Sequence, residues 1–168
     1  MKKIIYIILA VIIVALIGAF VWQNKNVFIS TDNFGDNSII TAGNKALNLS
    51  GQGIGKIPES VFNQTSLEEL NVSNNNLTGA IQSQIGQLKN LKILNASRNQ
   101  MTGVPAEVGQ LKSLEILDLS YNQLTGLPQE LGNLQNLKTL NLAGNQVSQQ
   151  DLNYIRSKLP ATTKIITD

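Results

Sequence analysis

The chain has no cysteine and no histidine. That excludes disulfide staples, Cys/His zinc sites, thiol nucleophiles and a Ser-His-Asp triad. Charge is scarce as well: charged residues are 14% of the 168, and 13 basic residues nearly balance 11 acidic ones. With a net charge of +2 and no long basic run, nothing points to nucleic acid. Aromatics are 5% of the chain, few for stacking on sugar rings. Amides take their place, with 20 Asn and 14 Gln, so the surface is amide-rich rather than charge-rich.

Apolar residues are concentrated at the start. Lys2 and Lys3 precede an uncharged stretch from Ile4 to Trp22. At ~1.5 Å rise per residue such a helix is about 28 Å long, close to the hydrocarbon thickness of a bilayer. The expectation is a cytoplasmic end at 1–3 and a transmembrane anchor at 4–22. Lys2, Lys3 and the terminal amine outweigh Lys25, which puts everything after Trp22 outside the cell. The alternative is a cleaved signal peptide ending at Ala19, hence a secreted protein. Its cleavage site is weak, because Ile17 stands where a small residue is usual and apolar residues continue through Phe20, Val21 and Trp22. Residues 23–43 form the linker and N-cap, with Ser38 to Ala42 expected to fold over the start of the domain at residue 44.

From residue 44 a period sets in. Leu47, Leu70, Leu94, Leu117 and Leu140 are spaced 23, 24, 23 and 23 residues apart. Two positions after each stands Leu49, Val72, Ala96, Leu119 or Leu142, and five positions after each stands an amide, Gln52, Asn75, Asn99, Asn122 or Asn145. Apolar residues at i and i+2 mark a short strand with one buried face. Parallel strands need a crossover, which a unit of this length supplies, and no unit can bury its leucines alone. The stretches LEILDLSYNQL from Leu114 and LKTLNLAGNQV from Leu137 carry the pattern most clearly, and LTGLPQELGNL and MTGVPAEVGQL complete the units.

These units resemble the leucine-rich-repeat family, whose pattern is LxxLxLxxNxL. The resemblance implies an α/β right-handed solenoid of five repeats over 44–148, with a parallel sheet on its concave face. It assigns Asn75, Asn99, Asn122 and Asn145 to an internal ladder that holds the turns. The first unit departs from the pattern, with Gln52 for Asn and Gln64 for Leu, and Phe62 is placed to cover the gap. The second unit has one extra residue in LTGAIQ, as in plant receptor ectodomains. Residues 149–168 fit a C-terminal cap. Ser148 and Asp151 suit a helix N-terminus, Leu152, Ile155 and Leu159 form one stripe, Pro160 ends it, and 162–167 suits a last strand. Many animal and plant members have Cys-rich caps, so their absence points to a bacterial-type surface protein with an N-terminal anchor.

Function must lie on the outward positions of the strands. The row Asn48, Asn71, Asn95, Asp118, Asn141 and the row of serines behind it are near uniform and are expected to be a solvated face. The row Ala46, Glu69, Ile93, Ile116, Thr139 and the row Gly51, Asn74, Arg98, Tyr121, Gly144 vary. Ile93 and Ile116 are apolar where water is expected, and Arg98 and Tyr121 are residue types enriched in hot spots. We expect these four to form one patch roughly 10 Å across, with Glu69 and Asp118 as the carboxylates of the same face. A further row, Lys45, Glu68, Lys92, Glu115, Lys138, alternates in sign and is expected to support the register. The sequence thus describes a non-enzymatic module, with no cofactor and no metal site, that binds a protein partner through the concave sheet. A structural role in the envelope and cell-wall glycan binding are the alternatives.

Overall fold

The computed structural model describes Val27–Phe28, Ile40–Thr41 and Lys45–Asp168. Val27–Phe28 (β1) and Ile40–Thr41 (β2) pair antiparallel. The expected span from Ile4 to Trp22 and most of the expected N-cap lie outside the described residues. Among those described, no helix is long and apolar enough to cross a membrane.

The main unit is a solenoid built on a six-stranded parallel sheet. Its strands are Ala46–Asn48 (β3), Glu69–Asn71 (β4), Ile93–Asn95 (β6), Ile116–Asp118 (β8), Thr139–Asn141 (β9) and Lys164–Ile166 (β10), in the order β10-β9-β8-β6-β4-β3. The register is that of the period: Leu47, Leu70, Leu94, Leu117 and Leu140 stand side by side, and Ile165 of the cap extends the row. Leu70, Leu94, Leu117 and Leu140 are fully buried, and the core runs without a break from Leu49 to Leu159. Five strands are expected from the repeats alone; the sixth is the cap strand, which joins the same sheet.

After each strand the chain turns and returns. In the second and third units part of the return is extended, Thr78–Ala80 (β5) and Gln100–Gly103 (β7), and the two pair in parallel. The returns then become helical: one α-turn at Glu59–Phe62 (α1) and 3-10 turns at Ser83–Gln87, Ala106–Gln110 and Gln129–Asn133. Pro58, Pro105 and Pro128 stand at their N-caps. Proline is suited there, since its fixed φ helps and its missing N–H is not needed. Each turn contributes a buried apolar residue, Val61, Ile85, Val108 or Leu131.

Both ends depart from the repeat. Phe62 is buried in the first unit, where the later units have leucine two positions on. Gln64 takes that leucine position, and its buried Nε2 has no hydrogen-bond partner among the described residues. At the other end Gln149–Lys158 (α2) covers the core with Leu152 and Ile155. Ser148 Oγ accepts the Asp151 N–H at 3.4 Å. Asp151 does not return a bond to Ser148; its Oδ2 accepts the Leu127 N–H at 3.2 Å and so ties the cap helix to the preceding unit.

The row of alternating charge is split in two. Glu68 lies 2.5 Å from Lys45 and 2.6 Å from Lys92, and Glu115 lies 2.6 Å from Lys138. Hydrogen bonds from Lys45 and then Lys92 hold the Glu68 carboxyl down at about 2, below its usual 4.5. A folded-state value below the unfolded one means the contribution is whole above pH 4.5 and is lost as pH falls towards 2. Melting Glu68→Gln beside the wild type in low salt tests this. The gap between the two should be open at pH 6 and close by pH 2; a gap independent of pH would refute it. Added salt should narrow the gap at pH 6, since the groups meet water.

Candidate functional site

The turn that ends each strand is held from both sides by amides. Inside, the Asn122 Nδ2 donates to the carbonyls of Ala96 (3.0 Å), Leu119 (2.9 Å) and Ser120 (3.3 Å), while its Oδ1 accepts the Met101 N–H (3.0 Å). Asn75, Asn99 and Asn145 repeat this set, each reaching one carbonyl of the preceding unit. Outside, the row expected to be merely solvated has work of its own. Asn48, Asn71, Asn95, Asp118 and Asn141 each accept, through Oδ1, the N–H two residues on. Asp118 also accepts from Ser120 Oγ at 2.6 Å, and its Oδ2 accepts from Asn141 Nδ2 at 3.2 Å. Its carboxylate is therefore committed to the turn, whereas Glu69 makes no ion pair among the described residues.

Three residues past the strand the backbone enters the left-handed region. Gly51 and Gly144 have φ of 72° and 70°, Asn74 of 57°, Arg98 of 54° and Tyr121 of 54°. Glycine suits this position and asparagine tolerates it, but a larger L-residue there is strained by about 1–2 kcal/mol. Arg98 and Tyr121 are thus not selected by the backbone they sit on. The Arg98 guanidinium lies over the Tyr121 ring, 4.8 Å from its centroid. The ring also rests on Gly144, where a Cβ would come within 2.7 Å of a ring carbon. Tyr121 stays 54% exposed in this stack, and Arg98 makes no ion pair among the described residues.

Ile93 and Ile116 are direct neighbours in the register. Ile93 is half-buried and Ile116 is 37% exposed. This pair opens the two strands, and the Arg98–Tyr121 stack stands in the turns after them. Four residues lie between the two rows, with the committed Asn, Asp and Ser rows among them. The four residues expected as one patch thus stand as two neighbouring pairs, one at the start of the two strands and one in the turns that follow them. Sequence reasoning missed Gly144 as the seat of the tyrosine, although its signal is there: a residue without a side chain one unit after a large one.

The residues at 45–159 match the model of a leucine-rich repeat region. The chain belongs to the leucine-rich-repeat family. Among solved structures it is similar to a leucine-rich-repeat protein of Leptospira interrogans, at 39% identity over 67% of this chain and 28% of that one, with a TM-score of 0.62. A chain of the BIR3–SERK2 complex of Arabidopsis thaliana matches at 32% identity over 85% and 74%, with a TM-score of 0.59. An internalin of Listeria monocytogenes matches at 27% identity over 66% and 31%, with a TM-score of 0.57. The leucine-rich-repeat chain thus spans under a third of the Leptospira and Listeria proteins it resembles. No curated protein matches it.

Proposed function

We propose that this leucine-rich-repeat chain is a non-enzymatic module that recognises a protein partner through the outward face of its six-stranded sheet. The observation that carries the reading is the Arg98–Tyr121 stack: two hot-spot residue types held on strained left-handed backbone, one of them more than half exposed. The exposed Ile116 beside Ile93 adds an apolar contact on the same strands. Similarity to a chain from a two-protein complex supports the same reading. Cell-wall glycan is served less well. The outer asparagines have their Oδ1 atoms in turns and offer a sugar only Nδ2. The face supplies a single exposed aromatic among the described residues, Tyr121.

The test is a pull-down from an envelope fraction with the full chain. Tyr121→Ala with Ile116→Ser should weaken capture of the partner at least tenfold, about 1.4 kcal/mol, with the melting curve nearly unchanged. Lys112→Ala, on the helical returns, should leave it intact. A double variant that binds as wild type, beside a return-side variant that fails, would move recognition to the other side of the solenoid.

The module is displayed outside the cell on the segment from Ile4 to Trp22. The uncharged run itself and the two lysines before it support this. The protein should partition with membranes and keep Met1–Trp22, and residues beyond Lys25 should be cut by protease added from outside. An N-terminus at Phe20 in purified material would instead establish secretion.

A further inference from the structure

One row of the sheet face has a polarity of its own. The register sets Glu69 beside Ile93, Ile93 beside Ile116, Ile116 beside Thr139, and Thr139 beside Lys164. Five consecutive parallel strands thus present, in order, an acid, two isoleucines, a threonine and a base. Glu69 and Lys164 are exposed, and neither enters an ion pair among the described residues. The cations next to this row in sequence, Lys92 and Lys138, are engaged by Glu68 and Glu115 instead, each at 2.6 Å. The row is bounded on one side by those paired charges and on the other by asparagines whose oxygens are held in turns. A shallow depression of about 300 Å³ opens at the acidic end, lined by Ala46, Leu47, Glu69, Leu70 and Ile93 among others.

We propose that this row binds an extended segment of a protein partner laid across the strands, with a basic residue at Glu69, an apolar residue over Ile93 and Ile116, and an acidic residue at Lys164. The inference rests on the sheet-face reading above and gives it a direction. Four strand steps of ~4.8 Å make the row about 19 Å long, which an extended chain covers in about six residue steps. Alternate side chains of such a segment face the sheet. Such residues fall about 6.6 Å apart, so the second lies over the two isoleucines and the third beside Thr139, and the matching sequence is basic, any, apolar, any, any, any, acidic. The depression beside Glu69 admits the stem of the long basic side chain, and the two isoleucines flank the apolar residue that follows it. Charge at both ends fixes which way round it lies, since the reversed segment would put like charges together at each end.

Random peptides displayed on phage, selected on the immobilised full chain, test this. Wild type should enrich peptides with the basic-to-acidic order. The same selection on Glu69→Lys with Lys164→Glu should enrich the reverse order, and each variant should bind the other's peptides at least tenfold more weakly. Binding of the wild-type set should also fall with added salt. If the enriched peptides lack charge order but lose binding in Ile116→Ser with Tyr121→Ala, the polarity is wrong and the sheet-face reading stands. If no peptide is enriched, the row proposal falls and the pull-down decides the sheet-face reading; if the enriched peptides ignore that variant too, both fall. Should the charge-swapped variant not fold, Glu69→Gln and Lys164→Gln taken singly carry the test, each expected to relax selection at its own end alone.

Discussion

Asn122→Ala is expected to destabilise the protein by about 2–4 kcal/mol, because it strands several buried backbone groups at once. The residue is 8% exposed. Its Nδ2 serves three carbonyls and its Oδ1 serves one N–H, and these groups belong to units three and four. Alanine removes every one of these contacts and leaves no room for water to take over all of them. Asn48→Ala is the control. Asn48 also accepts a backbone N–H, from Ser50 at 3.0 Å, but on an exposed turn where water can replace it. Its loss should be within about 1 kcal/mol. Denaturant unfolding of the two variants separates them, and equal destabilisation would show that inner and outer amides have been confused.

That contrast marks how far the sequence could be followed. The leucine period fixes which residues face inwards, because a solenoid repeats one environment per unit. It therefore indicates the strands, their parallel order and the inner amide ladder. It misplaces the strand limits by one residue: Leu47–Leu49 is expected and Ala46–Asn48 is found. The reason is physical. Asn48 accepts the N–H of Ser50 and starts the turn, so the second buried leucine is the edge of the strand: Leu49 still donates to the Asn71 carbonyl at 2.7 Å, but the chain leaves the extended course there. The pairing of β5 with β7 was not legible either. Thr78–Ala80 has no alternation of its own, and its strand character comes from Gln100–Gly103 in the next unit.

The candidate site was legible in its columns and not in its spacing. Alternation along a strand identifies Ile93, Ile116, Arg98 and Tyr121 as outward. It does not show that Asn95, Asp118 and their serines stand between the two pairs with their hydrogen bonds engaged. Nor could it show the left-handed backbone under Arg98 and Tyr121, since in other units the same position holds Gly or Asn and suggests only a turn. Once φ is known, the two large residues become the exceptions that need a reason, and the proposed binding role would supply one. Lys164 escaped notice for another cause. It belongs to the cap, outside the period, and only the pairing of β10 with β9 brings it into the row of Glu69.

Gly109→Ala should have an effect as large as any substitution on the helical side, and larger than Gly86→Ala at the equivalent position. Gly86, Gly109 and Gly132 occupy the same place in successive returns, and all are buried. A Cβ on Gly109 would collide with the Glu130 carbonyl oxygen and lie 2.6 Å from its carbonyl carbon. Both are backbone atoms of the next 3-10 turn, which is pinned by the buried Leu131 and cannot swing aside. On Gly86 the nearest atoms are the Glu107 Cβ at 3.0 Å, the Gln110 Oε1 at 3.1 Å and the Glu107 carbonyl oxygen at 3.3 Å, so small shifts of the neighbouring turn suffice where Gly109 meets an outright overlap. Overpacking against backbone destabilises by about 3 kcal/mol, offset by at most about 1 kcal/mol from the stiffer unfolded chain. The net loss of about 2–3 kcal/mol should lower the melting temperature by roughly 5–10 °C. Gly86→Ala should stay within about 1 kcal/mol of wild type. Thermal melts in which the two alanine variants coincide would show that the third and fourth returns are not packed this closely. The consequence should reach the sheet face, because the spacing of the returns and the spacing of the strands are set by the same stack. The return that carries Gly109 joins β6 to β8, so forcing it outwards should disturb the packing of Ile93 beside Ile116.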